Sequence, residues 1–178
     1  MQSCFIGHRV VENKEKTILL LKEAVIALIK QGVTTFLFGE IGEFDRLAWK
    51  VVSELKEEFP FLKRVYVRAA YPYINKDYEK YLHEFYEETY FPAKIKKAGK
   101  NAYVARNYEM VDNSTHCVFY YNERYAPPQK NAEQGKGGFR AKGRGGTKIA
   151  YEYAIKRKKN IINIFNGWKT NKKPLPFW

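Results

Sequence analysis

The sequence predicts an α/β fold, a Rossmann-like three-layer sandwich in which helices cover both faces of a largely parallel sheet. Two observations carry this. Short runs rich in β-branched and aromatic residues alternate with longer segments whose apolar residues recur at helical spacing. Strand, helix, strand, helix, strand follow one another over residues 3–69, an order that calls for right-handed crossovers and parallel neighbours.

Taken in order, residues 3–6 read as the first strand, broken by Gly7-His8-Arg9. A helix follows over about 14–30, with Ile18, Leu21, Val25 and Leu28 on one stripe, and Gln31-Gly32 ends it. Residues 34–38 form a second strand that runs directly into Gly39-Glu40-Ile41-Gly42-Glu43-Phe44-Asp45. The next helix carries Leu47, Ala48, Val51, Val52 and Leu55 and stops before Pro60. Residues 64–69 are a third strand. In the aromatic, charged stretch 71–103, residues 77–86 have a helical pattern. A short helix over 106–113 leads into a strand over 116–121. After a loop come a helix over about 147–158, a last strand over 161–165, and an irregular tail from Trp168.

A length of 178 residues suits one domain, 1–178, large enough to bury a real core. With 45% hydrophobic and 29% charged residues the chain is globular rather than disordered. No apolar run approaches the roughly 20 residues that span a bilayer. The first residues lack a basic segment followed by a long apolar one, so a cytoplasmic protein is expected. Cys4 and Cys117 are the two cysteines, each inside a β-like stretch, and are expected to be reduced and buried. Neither has a second Cys or His at ligand spacing, so neither a metal site nor a cofactor is expected. Lys and Arg number 32 against 19 acids, a formal charge of +13, which suits a phosphorylated or polyanionic partner or a solvated surface.

Four loops with unusual chemistry leave expected strand ends, where open parallel sheets bind their ligands. Gly145-Gly146-Thr147 precedes a helix: glycines let backbone N–H groups approach an anion, and the helix start adds partial positive charge. It is equally a flexible loop ending in a Thr cap. Gly39-x-x-Gly42-x-x-Asp45 lies at a strand-to-helix turn, where Asp45 can cap the helix, accept from ribose hydroxyls, or do both. The spacing is not that of the dinucleotide fingerprint, so a dehydrogenase is not expected. Arg9 and Arg106 are candidate phosphate clamps, Phe44 and Tyr108 candidate base-stacking aromatics, and His8 a candidate acid or base or a packing residue. The loop over 124–146 holds six basic residues, one acid and six glycines. A mobile insertion, a lid over phosphates and a nucleic-acid contact all fit it.

Together, Cys4-Phe5-Ile6-Gly7-His8-Arg9, Gly39-x-x-Gly42-x-x-Asp45, Arg106-Asn107-Tyr108-Glu109-Met110-Val111-Asp112 and Gly145-Gly146-Thr147 resemble the SLOG superfamily. The nearest branch is similar to the YpsA-like proteins of Gram-positive bacteria and their phages, over about residues 3–166. The resemblance implies a Rossmann-like fold and kinship with the lonely-guy phosphoribohydrolases, DprA and ligand-sensing domains of antiphage systems. It also implies nucleotide-derived ligands, held by Gly7, His8, Arg9, Gly39, Gly42, Asp45, Arg106, Gly145, Gly146 and Thr147, and a homo-oligomer. Some superfamily members cleave an N-glycosidic bond and others only bind. Here the glutamate that supports cleavage in the phosphoribohydrolases falls at Ala150, and Glu152 is about 200° further round the helix.

The expectation is a protein that binds a phosphorylated nucleotide-derived ligand, for sensing or sequestration. One alternative is an N-glycosidic hydrolase acting on a nucleotide or ADP-ribose-like compound, with Glu40, Glu43 or Asp45 supplying the missing carboxylate. A second is a nucleic-acid-binding module using the basic loop.

Overall fold

Alternating side-chain direction along a strand lets a short apolar run bury both its faces, and the runs of this chain do so in one sheet. The computed structural model describes residues 1–125 and 145–167; the basic loop and the tail expected from Trp168 fall largely or wholly outside them. Six strands, β1 (Gln2–Gly7), β2 (Thr35–Phe38), β3 (Lys63–Val67), β4 (Glu88–Tyr90), β5 (His116–Tyr120) and β6 (Asn160–Asn163), align in the order β4-β3-β2-β1-β5-β6. Every neighbouring pair is parallel.

Among the described residues five helices complete a Rossmann-like three-layer sandwich: α1 (Lys14–Lys30), α2 (Glu43–Glu58), α3 (Lys76–His83), α4 (Ala102–Asp112) and α5 (Gly146–Lys156). Phe5, Phe36, Phe38, Val118 and Tyr120 on one face of the sheet pack with Leu21, Val25 and Leu28 of α1 and Val51, Val52 and Leu55 of α2. The alternate residues Cys4, Ile6, Leu37, Val65, Val67, Cys117 and Phe119 pack with Met110 and Val111 of α4 and Ala150 and Ala154 of α5. All five residues of β5 are buried. Each large apolar side chain removed from water contributes about 1.5–3 kcal/mol, so this double-sided burial sets strand register as well as stability. Cys4 and Cys117 are buried, free and register partners on β1 and β5. No helix among the described residues is long and apolar enough to cross a membrane.

Several boundaries differ from the sequence pattern for local reasons. The helix expected over 77–86 ends at His83, because Phe85 and Tyr86 turn back to donate to the Leu82 carbonyl. Tyr86 then packs against Phe38 and Tyr66. Strand β4, three residues long, is too short to leave a periodic signal. The last strand stops at Asn163, whose side chain accepts from the backbone N–H groups of Tyr121 and Phe165 and donates to the Tyr121 carbonyl. That side chain turns the chain into a 3₁₀ segment, Ile164–Asn166.

The sheet grows one way from β1 through β2, β3 and β4, and the chain then returns to β1's other side as β5. The switch point therefore lies between β1 and β5, above Gly7 and Tyr120. Gly7 has no room for a side chain, since a Cβ there would overlap the ring of Phe44. Gly7→Ala is expected to lower stability by about 1–3 kcal/mol through overpacking, read as a lower urea midpoint at unchanged m. Gly146→Ala, where a Cβ meets nothing within 4 Å among the described residues, is the control and should stay within about 0.5 kcal/mol.

Candidate functional site

The loops after β1 and β2 are bound to each other before any ligand is considered. Gly42, at φ 96°, starts α2 with Arg9 Cα only 2.7 Å from where its Cβ would be, so neither the conformation nor the space suits another residue. Glu43 donates its backbone N–H to the Arg9 carbonyl at 2.8 Å. Its carboxylate accepts from Val11 N–H at 2.9 Å and pairs with Lys14 at 2.8 Å. Lys14 first, then the Val11 N–H, holds that carboxyl below the usual carboxylate range. Glu43 is thus engaged in joining the two loops. Arg9 itself is exposed at the rim.

Asp45 and Arg106 form the buried centre of the carboxyl edge. Arg106 is 4% exposed and donates from Nη1 to the carbonyls of Gly39 at 2.6 Å and Val67 at 3.3 Å. It thereby joins the ends of β2 and β3 from α4. Gly39 must be glycine because the guanidinium lies against its Cα, where a Cβ would go. Asp45, in the first turn of α2, reaches back so that Oδ2 accepts from Ile41 N–H at 2.8 Å. Its Oδ1 is buried and has no partner among the described residues. Burial pushes the Asp45 carboxyl up to about 6, against the opposing pull of Arg106 and the backbone N–H groups. Glu40, in the left-handed region at φ 61°, accepts from the Tyr86 hydroxyl at 3.2 Å, and burial raises its carboxyl.

His8 is 7% exposed and interacts through Nε2 with the backbone of Asn122, whose N–H lies 2.9 Å away. Its ring stacks on Tyr125 at 3.9 Å between centroids. Burial lowers its pKa, so the neutral ring accepts from Asn122 and fixes the exit of β5. Phe44 is fully buried under Gly7, and Tyr108 stacks on Tyr153 with centroids 4.0 Å apart. Phe44 therefore has no free face for a base, and one face of Tyr108 is covered.

The start of α5 is different in kind. Gly145 is its cap residue, no side chain among the described residues caps it, and its first turn contains no acid. Helix starts leave their first N–H groups without intrahelical acceptors, and at α1 the Asn13 side chain fills that need for Lys16 N–H. At α5, Gly145 and Gly146 are exposed, and among the described residues nothing lies within 4 Å of where a Cβ would be. Thr147 holds this start at the switch point, its hydroxyl donating to the Gly7 carbonyl at 2.9 Å. Ala150 is fully buried one turn on, and Glu152 is exposed.

A depression of 560 Å³ lies over the ends of β5 and β6, lined by Tyr121, Asn122, Glu123, Arg124, Tyr151, Asn163, Phe165 and Asn166. Sequence reasoning passed over these residues. The available signal was spacing, since Tyr151 lies four residues after Thr147 and so on the same face of α5. Another depression, of 390 Å³, lies at the amino ends of the strands, around Thr35, Lys63 and Glu88. Helices begin at the opposite edge, so no helix start faces it.

Fold and site together define a Rossmann-like α/β domain in which a glycine-lined helix start, without a side-chain cap among the described residues, faces the switch point of a parallel sheet. Comparison of the chain with protein-family models and with curated proteins gives no match.

The buried carboxyl gives this site a signature in pH. Unfolded, Asp45 ionises near 3.8; folded, near 6. Between those values the folded state retains a proton that the unfolded state has lost, so stability falls as pH rises, by up to roughly 3 kcal/mol. Asp45→Asn should flatten this segment of the stability curve in urea unfolding from pH 4 to 7, and an unchanged slope would assign it elsewhere. Arg106→Met, which leaves Asp45 buried without its opposite charge, is expected to cost about 3–5 kcal/mol at pH 7. Adding Asp45→Asn should recover part of that loss in the same assay.

Proposed function

We propose that this protein is a SLOG-type, YpsA-like domain that binds a phosphorylated, nucleotide-derived ligand for sensing or sequestration. The observation that carries this reading is the start of α5, uncapped among the described residues, free of acids and fastened by Thr147 to the end of β1. Such a start attracts a phosphate through several N–H groups and the helix dipole at once. Exposed Arg9 at the same rim adds a cation able to approach a phosphate. Arg106, already bonded to two backbone carbonyls, contributes positive potential and the shape of the Gly39–Gly42 turn. Asp45 is buried with Oδ1 closed off from solvent, so it supports the Gly39–Gly42 turn rather than meeting a ribose hydroxyl. A homo-oligomer belongs to the same reading.

One observation favours the hydrolase as a second reading. Asp45 combines a buried, unpartnered oxygen with a carboxyl pushed up to about 6, a combination that suits proton transfer near neutrality. Against it stands Ala150, buried at the position where the phosphoribohydrolases carry their glutamate. The two readings separate on incubation with AMP, ADP-ribose, NAD and cyclic nucleotides, followed by spin filtration and mass spectrometry. A compound retained intact is the expected result; free base accumulating with time would establish the hydrolase.

Gly146→Asp tests the phosphate position itself. A carboxylate in the first turn favours the helix, and the site has room for it, so the melting temperature should hold or rise. Affinity for the retained phosphate compound should fall at least about tenfold in equilibrium dialysis. Unchanged affinity would remove the phosphate from α5.

A further inference from the structure

We infer that the surface made by the loop after β3, the start of α3 and the 3₁₀ segment Ala93–Lys97 binds single-stranded nucleic acid, with bases against Tyr71 and Tyr73 and the backbone along Lys96 and Lys97. It lies beside β3 and β4, across β2 and β1 from the strand that leads into α5, and it does not depend on the phosphate reading above. Five of the ten exposed large apolar side chains among the described residues fall within 71–103, and all five are tyrosines. Exposed rings gathered in one stretch mark a contact surface.

Tyr71 and Tyr73 are 69% and 82% exposed. Tyr73 has no aromatic neighbour among the described residues, and the Lys96 ammonium stands over its ring, 5.3 Å from the centroid. Tyr71 meets Tyr78 at 73° with centroids 6.4 Å apart, so the two are not stacked. The Tyr71 backbone lies in the left-handed region at φ 56°, which favours glycine or asparagine. With its ring exposed, folding gains little from a tyrosine there. In the same loop Arg68 is 9% exposed and donates from Nη1 to the Tyr71 carbonyl at 2.6 Å. Its Nε is buried without an acceptor among the described residues, so this cation has a donor to spare beside the rings.

Charge selects the partner. Residues 89–108 contain no acid and carry Lys94, Lys96, Lys97, Lys100 and Arg106. Lys94 pairs with Glu109, while Lys96, Lys97 and Lys100 are exposed and have no carboxylate partner among the described residues. Helix α3 carries both signs, so the positive excess belongs to the 89–108 stretch. Open rings beside unpaired lysines match an unpaired strand, whose bases offer faces to stack and whose phosphates offer charge. A duplex keeps its bases stacked on one another, out of reach of such rings. A second copy in a two-fold contact would bring this positive surface against itself.

The test is fluorescence anisotropy of the full chain with a labelled oligothymidylate of about 20 nucleotides, longer than a typical binding site, and with a duplex of the same length. The single strand is expected to bind at least about tenfold more tightly. Tyr73→Ala should weaken it at least about fivefold, and Tyr73→Phe should not. Lys96→Gln should lower the slope of log affinity against log salt by about 0.7. Both side chains are exposed, so the melting temperature should hold in each variant, and retention of AMP should be unchanged. Equal binding of duplex and single strand, or full affinity in the double variant Tyr73→Ala with Lys96→Gln, would assign the binding to another basic surface and overturn the inference. Binding to phosphatidylserine vesicles without binding to the oligonucleotide, or binding to neither, would overturn it as well.

Discussion

A buried arginine joins three distant segments of this chain. From α4, Arg106 bonds the last carbonyl of β3 and the first carbonyl beyond β2, and it faces a buried aspartate in α2. Burying either charge alone would cost several kcal/mol; together they compensate each other and satisfy backbone groups that the end of a sheet would leave unpaired. The shape of the Gly39–Gly42 turn follows from this, because Gly39 must make room for the guanidinium and Asp45 must reach back to Ile41. The loop after β1 is in turn held to the same turn by Glu43 and Gly42. Two buried opposite charges, coupled through space, therefore shape half of the carboxyl edge.

The other half is organised by neutral contacts. His8, kept neutral by burial, fixes Asn122 after β5, and Thr147 holds the start of α5 to Gly7. This division has a chemical consequence. Where charge is buried, the edge is closed and its polar groups are mostly spent on the fold; where the contacts are neutral, the helix start is exposed and uncapped among the described residues. The first turn of α5 carries no acidic side chain.

Sequence patterns disclose much of the fold because alternation and helical spacing are local properties. The first three strands and first two helices are legible in the stripes of Ile18 to Leu28 and Leu47 to Leu55 and in the apolar runs between them. Strand β4 escapes such reading since three residues paired to β3 carry no period of their own. The ends of α3 and β6 escape it for another reason: they are decided by Tyr86 entering the core and by the Asn163 amide, and both contacts are made to residues far along the chain.

The same distinction applies to the site. The sequence by itself determined that glycine turns, two arginines and an aspartate leave strand ends, because each turn is defined by adjacent residues. It also determined the absence of a glutamate at position 150 and the strongly positive charge of the whole chain. Only the tertiary structure decided which groups are spent and which are open, since that depends on what each side chain meets across the sheet. Arg106 and Glu43 are both cast in sequence as ligand-facing groups and both engaged in holding loops together. Phe44 goes into the core, while Tyr121 and Tyr151, indistinguishable in sequence among fourteen tyrosines, line the opening because β5 and α5 meet at the switch point.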